Sequence, residues 1–382
     1  MKDTRILIVG AGIAGLTTAA LLRQRGFQPV IIEREEKSSF NTTGYMLGLL
    51  PLGGRVLNEL ELVSNYFDHS VEMNSYEIHQ KDGTLIKKFP LDFINRQYGS
   101  YRGISRTELI DLLLEKVDVA QLRYGITIEQ LDLGENSVGV HFSNGQTEVF
   151  DLVIVADGLH SSTRKLFLND SEYRYYDTGW GGWVAWMDES MGNVYKEFWG
   201  ASSFMGLYPV KDRVGIFIGG PNESLKQKGR TDFIDDVRSH IAPGYDWLHR
   251  ALNALEEDDE PYYWEFHDCE TEVWTRGNIV LLGDAAAGFL PTAGVGASMA
   301  MDAASTLVDE LSRTDKEHLA YGLKLYVNRQ RQRTERAQKD SRKLAKMMFV
   351  RADLLAGLRD YAVRFYSIKS LASGLSNIME GA

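Results

Sequence analysis

The sequence predicts an α/β fold with a Rossmann-like nucleotide-binding domain, an interleaved β-sheet domain and C-terminal helices. Three observations indicate it. The chain begins with a short apolar run, a glycine-rich turn and a helical pattern. Two later apolar runs, 152–155 and 278–282, are each followed within two residues by an aspartate, as in buried parallel strands that carry site residues. Residues 173–275 are rich in aromatic side chains, and several stretches alternate like antiparallel strands.

Composition narrows the class of protein. The chain has 382 residues, enough for two or three domains, and 44% apolar with 25% charged residues is typical of a soluble globular protein. The net charge of −11 argues against a nucleic-acid partner. The single cysteine, Cys269, excludes a disulfide within the chain. The histidines lack metal-ligand spacing, so we predict no metal site. With no signal peptide or membrane span in view, we expect a cytoplasmic protein.

The N-terminal stretch "RILIVGAGIAGLTTAALLRQRGFQPVIIER" predicts a dinucleotide-binding βαβ unit. After the strand Ile6–Val9, Gly10, Gly12 and Gly15 stand in G-x-G-x-x-G spacing at the start of a helical pattern. These glycines permit the tight turn, the approach of a pyrophosphate to the backbone, and close packing of helix on strand. The helix N-terminus offers free N–H groups to the phosphates. Glu33 ends the next strand, 33 − 15 = 18 residues after the last glycine, where a carboxylate accepts hydrogen bonds from ribose.

Two further strand ends carry polar groups. A hairpin with Asn144-Gly145 at its turn precedes the buried strand Leu152–Val155, which leads into "DGLHSSTR", residues 157–164. Asp157 is placed to accept a hydrogen bond, and Arg164 to hold a carboxylate or phosphate. The second strand, Asn278–Leu282, leads into "GDAAAGFLPTAGVGAS" and a helix that begins near Gly294.

Taken in order, these motifs resemble those of the single-component, FAD-dependent aromatic monooxygenases of the para-hydroxybenzoate hydroxylase family. The glycine fingerprint, the Asp157-Gly158 motif and the Gly283-Asp284 motif match, as does an arginine that opens a helix in "ISRTELIDLLL", residues 104–114. The resemblance covers most of the chain. It implies that Asp284 accepts from a ribityl hydroxyl of FAD and that Arg106 contacts the ribityl–phosphate region. It also implies a dual role for the Asp157-Gly158 motif in binding FAD and NAD(P)H.

The resemblance implies a reaction as well. NADPH or NADH, docking transiently without a second fingerprint, reduces FAD; O₂ then gives a flavin hydroperoxide that hydroxylates a small aromatic or polycyclic substrate. The small residues around Asp284 let the flavin ring lie against backbone, and the following helix N-terminus stabilises negative charge on the reduced ring. No catalytic residue is identified, and the chain is expected to be a monomer or a homodimer.

Motifs and resemblance together predict a set of cofactor contacts. Arg34 is either one of these or a solvated surface charge. The predicted contacts are Gly10, Ala11, Gly12, Ile13, Ala14, Gly15, Glu33, Arg34, Arg106, Ile128, Asp157, Gly158, Arg164, Gly283, Asp284, Pro291, Gly294, Val295, Gly296 and Ala297.

The sequence also departs from the family pattern. Ala287, Thr292, Val295 and Ser298 stand where histidine, proline, glutamine and asparagine are usual, and Asn41 replaces an arginine. Two alternatives therefore stay open: a flavin-dependent halogenase or a geranylgeranyl-reductase-like saturase on the same fold, and a non-catalytic flavin-binding module. The W-x-W-x-I-P motif of tryptophan-type halogenases is absent, which argues against the first of these.

The aromatic region supplies the predicted substrate pocket. Trp183, Phe204 and Tyr208, together with Pro291 in the loop after Asp284, are the candidate lining residues, although aromatic side chains in a sheet are more often core. We predict that residues 1–72, 98–172 and 276–325 bind FAD and that residues 73–97 and 173–275 form the substrate domain.

The C-terminal segment, residues 326–382, is predicted to be helical. Its basic stretch "RQRQRTERAQKDSRKLAK" either contacts a membrane surface or forms the solvated face of a helix that packs across both domains. We favour the second interpretation, because acidic residues are interspersed among the basic ones.

Overall fold

The chain folds into strands and helices that alternate along the sequence. The structure, a computed structural model, describes residues 3–365, so residues 366–382 of the predicted C-terminal segment lie outside the described residues. The strands are β1 (Ile6–Val9), β2 (Val30–Ile32), β3 (Met46–Leu49), β4 (Val71–Glu72), β5 (Ser75–Gln80), β6 (Leu85–Pro90), β7 (Arg102–Ser105), β8 (Leu122–Arg123), β9 (Ile128–Leu133), β10 (Val138–Phe142), β11 (Thr147–Phe150), β12 (Leu152–Val155), β13 (Tyr173–Met187), β14 (Val194–Trp199), β15 (Phe204–Val210), β16 (Arg213–Pro221), β17 (Tyr262–Thr271), β18 (Thr275–Arg276) and β19 (Ile279–Leu281). The helices are α1 (Ile13–Gln24), α2 (Pro51–Glu59), α3 (Val63–Asp68), α4 (Asp92–Gln97), α5 (Arg106–Leu114), α6 (Asn222–Ser239), α7 (Asp246–Glu257), α8 (Asp284–Ala287), α9 (Gly296–Arg313), α10 (Leu319–Met348) and α11 (Asp353–Phe365).

A six-stranded sheet in the order β18-β19-β12-β1-β2-β8 forms the first layer. All its strand pairs are parallel except β18 with β19. Strands β1, β12 and β19 are buried along their whole length, which explains their continuous apolar sequences. Because the strands are parallel, Gly10, Glu33, Asp157 and Gly283 all follow strand ends at one edge of this sheet. The predicted α/β fold class is confirmed.

A seven-stranded sheet in the order β17-β13-β16-β15-β14-β5-β6 forms the second layer. Its strands come from residues 75–90 and 173–271, and each pair is antiparallel except β14 with β5. One face, here called the outer face, packs on α6 and α7 through Ile216, Ile218 and Leu252. The opposite, inner face packs against β3 and β7. The division of the chain into domains stays a prediction.

Helix α10, 30 residues long, ties the two layers together. Arg342 pairs with Asp268 at 2.7 Å and with Glu270 at 2.9 Å, both on β17. Other basic side chains of the helix are also ion-paired: Arg329 contacts Asp309 at 2.7 Å on α9. This agrees with the interpretation of a helix that packs across both layers.

Helix α11 exposes large apolar side chains and buries an arginine. Leu354 is 79% exposed and Phe365 is 70% exposed, whereas Arg359 is buried, with its guanidinium on the carbonyls of Trp199 and Gly200. The prediction of a helical C-terminal segment did not indicate which side of this helix is buried. Within residues 3–365, no helix combines the length and the apolar character needed to cross a bilayer.

Candidate cofactor site and substrate cleft

The turn between β1 and α1 needs its glycines for different reasons. Gly10 has φ +98°, and a β-carbon there would lie 2.9 Å from the Asp157 Cα, so this turn packs on the loop after β12. A β-carbon on Gly15 would overlap the Gly10 carbonyl oxygen. Gly12 has open space instead, with no atom within 4 Å of an added β-carbon. The middle glycine therefore borders a cradle in which a phosphate can approach the backbone at the start of α1.

The acid after β2 is held at the same edge of the sheet. Glu33 accepts hydrogen bonds from the backbone N–H of Ala11 at 2.8 Å and of Glu35 at 3.0 Å. Arg34 is exposed, close enough to His160 that its charge, after burial and the charge of His267, lowers the pKa of that imidazole. Ile128 begins β9 and is buried in the core of the first layer. Whether Arg34 or Ile128 touches a cofactor stays a prediction.

Asp157 and Arg164 behave differently from one another. Asp157 Oδ2 accepts from the N–H of Thr163 at 3.1 Å, while its Oδ1 is buried without a hydrogen-bond partner. Arg164 is fully buried and donates to the carbonyls of Ala285 at 2.7 Å and Leu159 at 2.9 Å and to the hydroxyl of Tyr175 at 2.7 Å. Asp157 thus keeps a free acceptor. Arg164 does not offer an accessible guanidinium to a carboxylate or phosphate; it fastens the loop after β12 to α8.

The loop after β19 packs on the first motif. A β-carbon on Gly283, which has φ +60°, would lie 2.8 Å from Ala14 Cβ in the first turn of α1. Asp284 follows, and its carboxylate makes no hydrogen bond to any residue of the range 3–365. The side chain is accessible from a cleft, yet enough protein surrounds it that desolvation raises the pKa of Asp284 to about 6. This carboxylate is therefore a hydrogen-bond acceptor without a donor among the described residues.

Tyr45 and Arg106 complete that side of the cleft. The Arg106 N–H donates to the Tyr45 carbonyl at 2.8 Å. Burial raises the pKa of Tyr45 to about 12; the Arg106 guanidinium opposes this rise and the Asp284 carboxylate adds to it. The Tyr45 ring packs against Trp264 on β17, with centroids 4.7 Å apart. Arg106 and Asp284 therefore each lie near Tyr45, and the Tyr45 ring joins this side of the cleft to the aromatic inner face.

Helix α10 fixes the segment in which the chain departs from the family pattern. Gln338 Nε2 donates to the Gly288 carbonyl at 2.6 Å, and the Ser341 hydroxyl donates to the Leu290 carbonyl at 3.0 Å. Thr292, which stands in place of the usual proline, donates to the Ser341 carbonyl at 3.0 Å. The altered loop is thus held by hydrogen bonds to a buried face of α10.

The loop ends at the start of α9. Gly294 adopts the left-handed region with φ +59°, and α9 begins at Gly296, two residues later than the sequence indicates, without a side-chain cap. Its first amides are therefore available to a ligand, and Ala297 lies in this first turn. Val295 is buried against Leu50 and Met299, so its side chain serves packing.

The predicted substrate residues lie in three different environments. Tyr208 is half-buried on the inner face, and Pro291 is half-buried in the loop that faces it. Phe204 is also on the inner face but is buried, with Phe217 and Phe349 around it, so it belongs to the core. Trp183 points to the outer face, where it packs on Phe233.

The placement of Trp183 corrects the sequence expectation. Side chains alternate across a strand, and Trp183 pairs in register with Ile218, whose side chain packs on the helices. The sequence indicated alternation but not which face met the nucleotide-binding layer. Sequence reasoning also missed Tyr45, Tyr101 and Glu197. The alternation of "VYKEFW" was a signal that Glu197 shares a face with Tyr195 and Trp199.

The residues present fit FAD. Gly12 borders an open cradle at a helix N-terminus, Asp157 Oδ1 is a buried acceptor without a partner, and Asp284 is a desolvated carboxylate without a donor. All three lie at one edge of a parallel sheet, where such folds bind dinucleotides. The cluster offers acceptors for hydroxyl groups and backbone amides for phosphates, the two kinds of group that a dinucleotide presents.

Comparison with known proteins agrees with this geometry. The model of the FAD binding domain family matches residues 3–341. The chain is 29% identical over 319 residues to 3-amino-4-hydroxybenzoate 2-monooxygenase of Streptomyces cremeus, covering 80% of this chain and 78% of that one. It is 26% identical over 358 residues to 6-hydroxynicotinate 3-monooxygenase of Pseudomonas fluorescens, covering 89% and 91%.

A solved structure extends the comparison to the whole fold. Klebsiella pneumoniae HpxO, crystallised with FAD and uric acid, superposes with a TM-score of 0.87 at 21% identity, covering all of this chain and 98% of that chain. The predicted FAD cofactor and the prediction of an FAD-dependent monooxygenase are confirmed. The chain belongs to the FAD-binding family of flavin-dependent aromatic monooxygenases.

Proposed function

We propose that this protein consumes NADPH or NADH and O₂ to hydroxylate a small aromatic or polycyclic molecule. The observation that carries the proposal is the cleft in which Asp284, Arg106 and Tyr45 meet the aromatic inner face of the seven-stranded sheet. The named substrates of its relatives, 3-amino-4-hydroxybenzoate and 6-hydroxynicotinate, are single aromatic rings, which supports a ring-sized substrate here.

The chain's residues bind and orient. FAD, when bound, supplies the electron transfer from the nicotinamide and the activation of O₂. Asp284 would accept a hydrogen bond from a hydroxyl of the cofactor's sugar-alcohol chain, Asp157 would accept one from another donor group of the cofactor, and the first turn of α1 would bind the phosphates. The cleft is lined by the rings of Tyr45 and Trp264 and by the loop at Pro291. These groups keep water from the reacting atoms and hold the substrate ring in position.

The fixed loop supports an enzyme over a passive binding module. Four of the departures from the family pattern lie within residues 287–298. In this segment, Gln338, Ser341 and Thr292 form buried or half-buried hydrogen bonds that hold residues 288–292. A rigid wall beside the cofactor is what positioning a substrate requires.

The test is NAD(P)H oxidation by FAD-loaded protein with a panel of phenols, hydroxypyridines and quinolones, followed by product mass with isotopically labelled O₂. The proposal expects one labelled oxygen in the product and aromatic-stimulated oxidation of NADPH or NADH. Incorporation of chlorine, or saturation of a double bond without oxygen, would indicate the halogenase or saturase alternative. No oxidation with any compound would favour the non-catalytic module. Light scattering distinguishes a monomer from a homodimer, the two oligomeric states that we expect.

A further inference from the structure

A buried carboxylate lies on the inner face of the seven-stranded sheet. Glu197, in β14, is 6% exposed. Its Oε2 accepts from the Tyr76 hydroxyl at 2.5 Å and from the Trp199 indole N–H at 2.9 Å, and its Oε1 accepts from the Tyr208 hydroxyl at 2.9 Å. No ion pair within residues 3–365 involves this group. The roles assigned above do not use it.

The sheet register builds this contact. Glu197 stands directly opposite Gly206 in the antiparallel pair of β14 and β15. Tyr208 is two residues further along the same face and folds back over Gly206, where a β-carbon would overlap its ring. The missing side chain at position 206 therefore lets the Tyr208 hydroxyl reach the carboxylate on the next strand.

Tyr208 links the carboxylate to the cleft. Its ring lies 5.5 Å from that of Tyr195, which lies 5.5 Å from that of Tyr101. The Tyr101 hydroxyl reaches the loop beside the cofactor, since it would be 3.4 Å from a β-carbon on Gly294. Tyr208 is half-buried: its ring packs on this aromatic cluster while its hydroxyl donates to Glu197.

The direction of these hydrogen bonds determines whether the Tyr208 hydroxyl can donate to a ligand in the cleft or only accept from it. A phenol has one O–H to donate and lone pairs that accept. Because Tyr208 donates its proton to Glu197, its oxygen presents only acceptor capacity toward the cleft. The Tyr76 hydroxyl also donates its proton to Glu197 and has only acceptor capacity left. A group that binds here must donate a hydrogen bond.

The charge of Glu197 has no cation beside it to balance it. Burial raises the pKa of Glu197, and the hydrogen bonds from Tyr76, Trp199 and Tyr208 oppose that rise by stabilising the charged form. Arg359, the cation that stacks on the Trp199 ring at 5.5 Å, is already paired with Asp360 at 2.8 Å. Arg106, the cation of the cleft, lies beside Tyr45 and does not act on Glu197. A second negative charge placed beside Tyr208 is therefore repelled by Glu197 through a poorly screening medium.

We propose that Glu197, acting through Tyr208, selects the substrate: the cleft takes a neutral aromatic ring with a hydroxyl or ring N–H that donates to Tyr208, and it disfavours rings that carry a carboxylate. The inference rests on the proposed function for the location of the cleft. It distinguishes this chain from relatives named for hydroxybenzoate and hydroxynicotinate substrates. Glu197 is a specificity-determining residue; it need not touch the reacting atoms.

The experiment compares two probes that differ only by a carboxylate, 2-hydroxypyridine and 6-hydroxynicotinate. Binding to FAD-loaded protein is measured by calorimetry without reductant, so no turnover is needed. The wild type is expected to bind 2-hydroxypyridine about tenfold more tightly than 6-hydroxynicotinate, or better. Glu197→Gln, which keeps the shape and removes the charge, is expected to abolish that preference. Glu265→Gln, an exposed residue on the outer side of β17, makes the same charge change and is expected to keep it.

A second variant protects the test against misfolding of Glu197→Gln. Tyr208→Phe removes the acceptor but leaves the charge, so both probes are expected to bind about tenfold more weakly with their ratio unchanged. The proposal is overturned if the wild type prefers the carboxylate or binds neither probe, if Glu197→Gln folds and keeps the preference, or if Tyr208→Phe binds as the wild type does. Correct discrimination by a protein that oxidises no NAD(P)H would refute the proposed function alone.

Discussion

Replacing Gly12 by alanine separates cofactor binding from folding. Gly12 has φ −77° and ψ −175°, which alanine adopts without strain, and no atom lies within 4 Å of the new β-carbon. The fold should accept the methyl group and gain about 0.5 kcal/mol from lower entropy of the unfolded chain. The methyl group enters the space of the pyrophosphate and costs about two backbone hydrogen bonds to a charged phosphate, at about 1.5 kcal/mol each. We expect FAD affinity to fall about 100-fold.

Gly15→Ala is the matched control, because the same methyl group meets the Gly10 carbonyl and lies 3.3 Å from the Ile8 side chain. Overpacking there should destabilise the FAD-free protein by about 1–3 kcal/mol. Titration of flavin fluorescence gives the affinities, and thermal melts followed by circular dichroism give the stabilities. A Gly12→Ala protein that binds FAD as tightly as the wild type, or that melts as early as Gly15→Ala, would refute the reasoning.

The contacts of the site also lead to predictions for three more residues: Asp284, Arg164 and Gln338. Burial raises the pKa of Asp284 from its ordinary 3.8 to about 6. The FAD-free wild type should therefore lose stability as the pH rises from about 4 to 6, because the folded state favours the protonated carboxyl. Thermal melts at several pH values should show that Asp284→Asn lacks this loss. FAD binding favours the charged form of Asp284, so the affinity of the wild type for FAD should rise through pH 6 and then level off. Asp284→Asn should bind FAD about tenfold more weakly at pH 8, and its affinity should not rise through pH 6. Arg164→Met removes one buried and two partly buried hydrogen bonds and should cost about 3 kcal/mol in denaturant unfolding. An unchanged midpoint would contradict the proposal that Arg164 holds the loop after β12 against α8. Gln338→Leu frees the Gly288 carbonyl and should lower the product formed per NAD(P)H consumed, and an unchanged ratio would show that α10 does not matter for the loop.

The nucleotide-binding layer could be predicted closely from the sequence because its signals are local. Strands β1 and β12 have the predicted bounds, Ile6–Val9 and Leu152–Val155, since a strand buried on both faces must be continuously apolar. The glycine spacing and Glu33 likewise lie within one βαβ unit. Parallel pairing then places the later strand ends beside this motif, which is why Asp157 and Asp284 could be predicted as neighbours of the same site.

The substrate cleft could not be predicted to the same degree, because it depends on pairing between distant segments. Alternation in β13 and β15 does not say which face meets the first layer, so Trp183 was assigned to the cleft although it packs on the outer helices. The contact of Tyr208 with Glu197 requires the register that sets Glu197 opposite Gly206.

The role of Arg164 also depended on three-dimensional context. A sequence motif shows that an arginine follows the loop, but not whether its guanidinium faces a ligand or the carbonyl of Ala285, 121 residues away. Helix α11 had the same ambiguity. The sequence predicted a helical segment here, while the exposure of Leu354 depends on how Arg359 is anchored to the sheet.

The most direct test of the account is the flavin content of the purified protein. Three separate loops, around Gly12, Asp157 and Asp284, are proposed to form a single dinucleotide site. Protein stripped of cofactor and titrated with FAD should turn yellow and saturate at one FAD per chain, and Asp284→Asn should bind more weakly with the same stoichiometry. A protein that takes up no FAD, or whose affinity for FAD is unchanged by Asp284→Asn, would contradict the proposal of a single dinucleotide site.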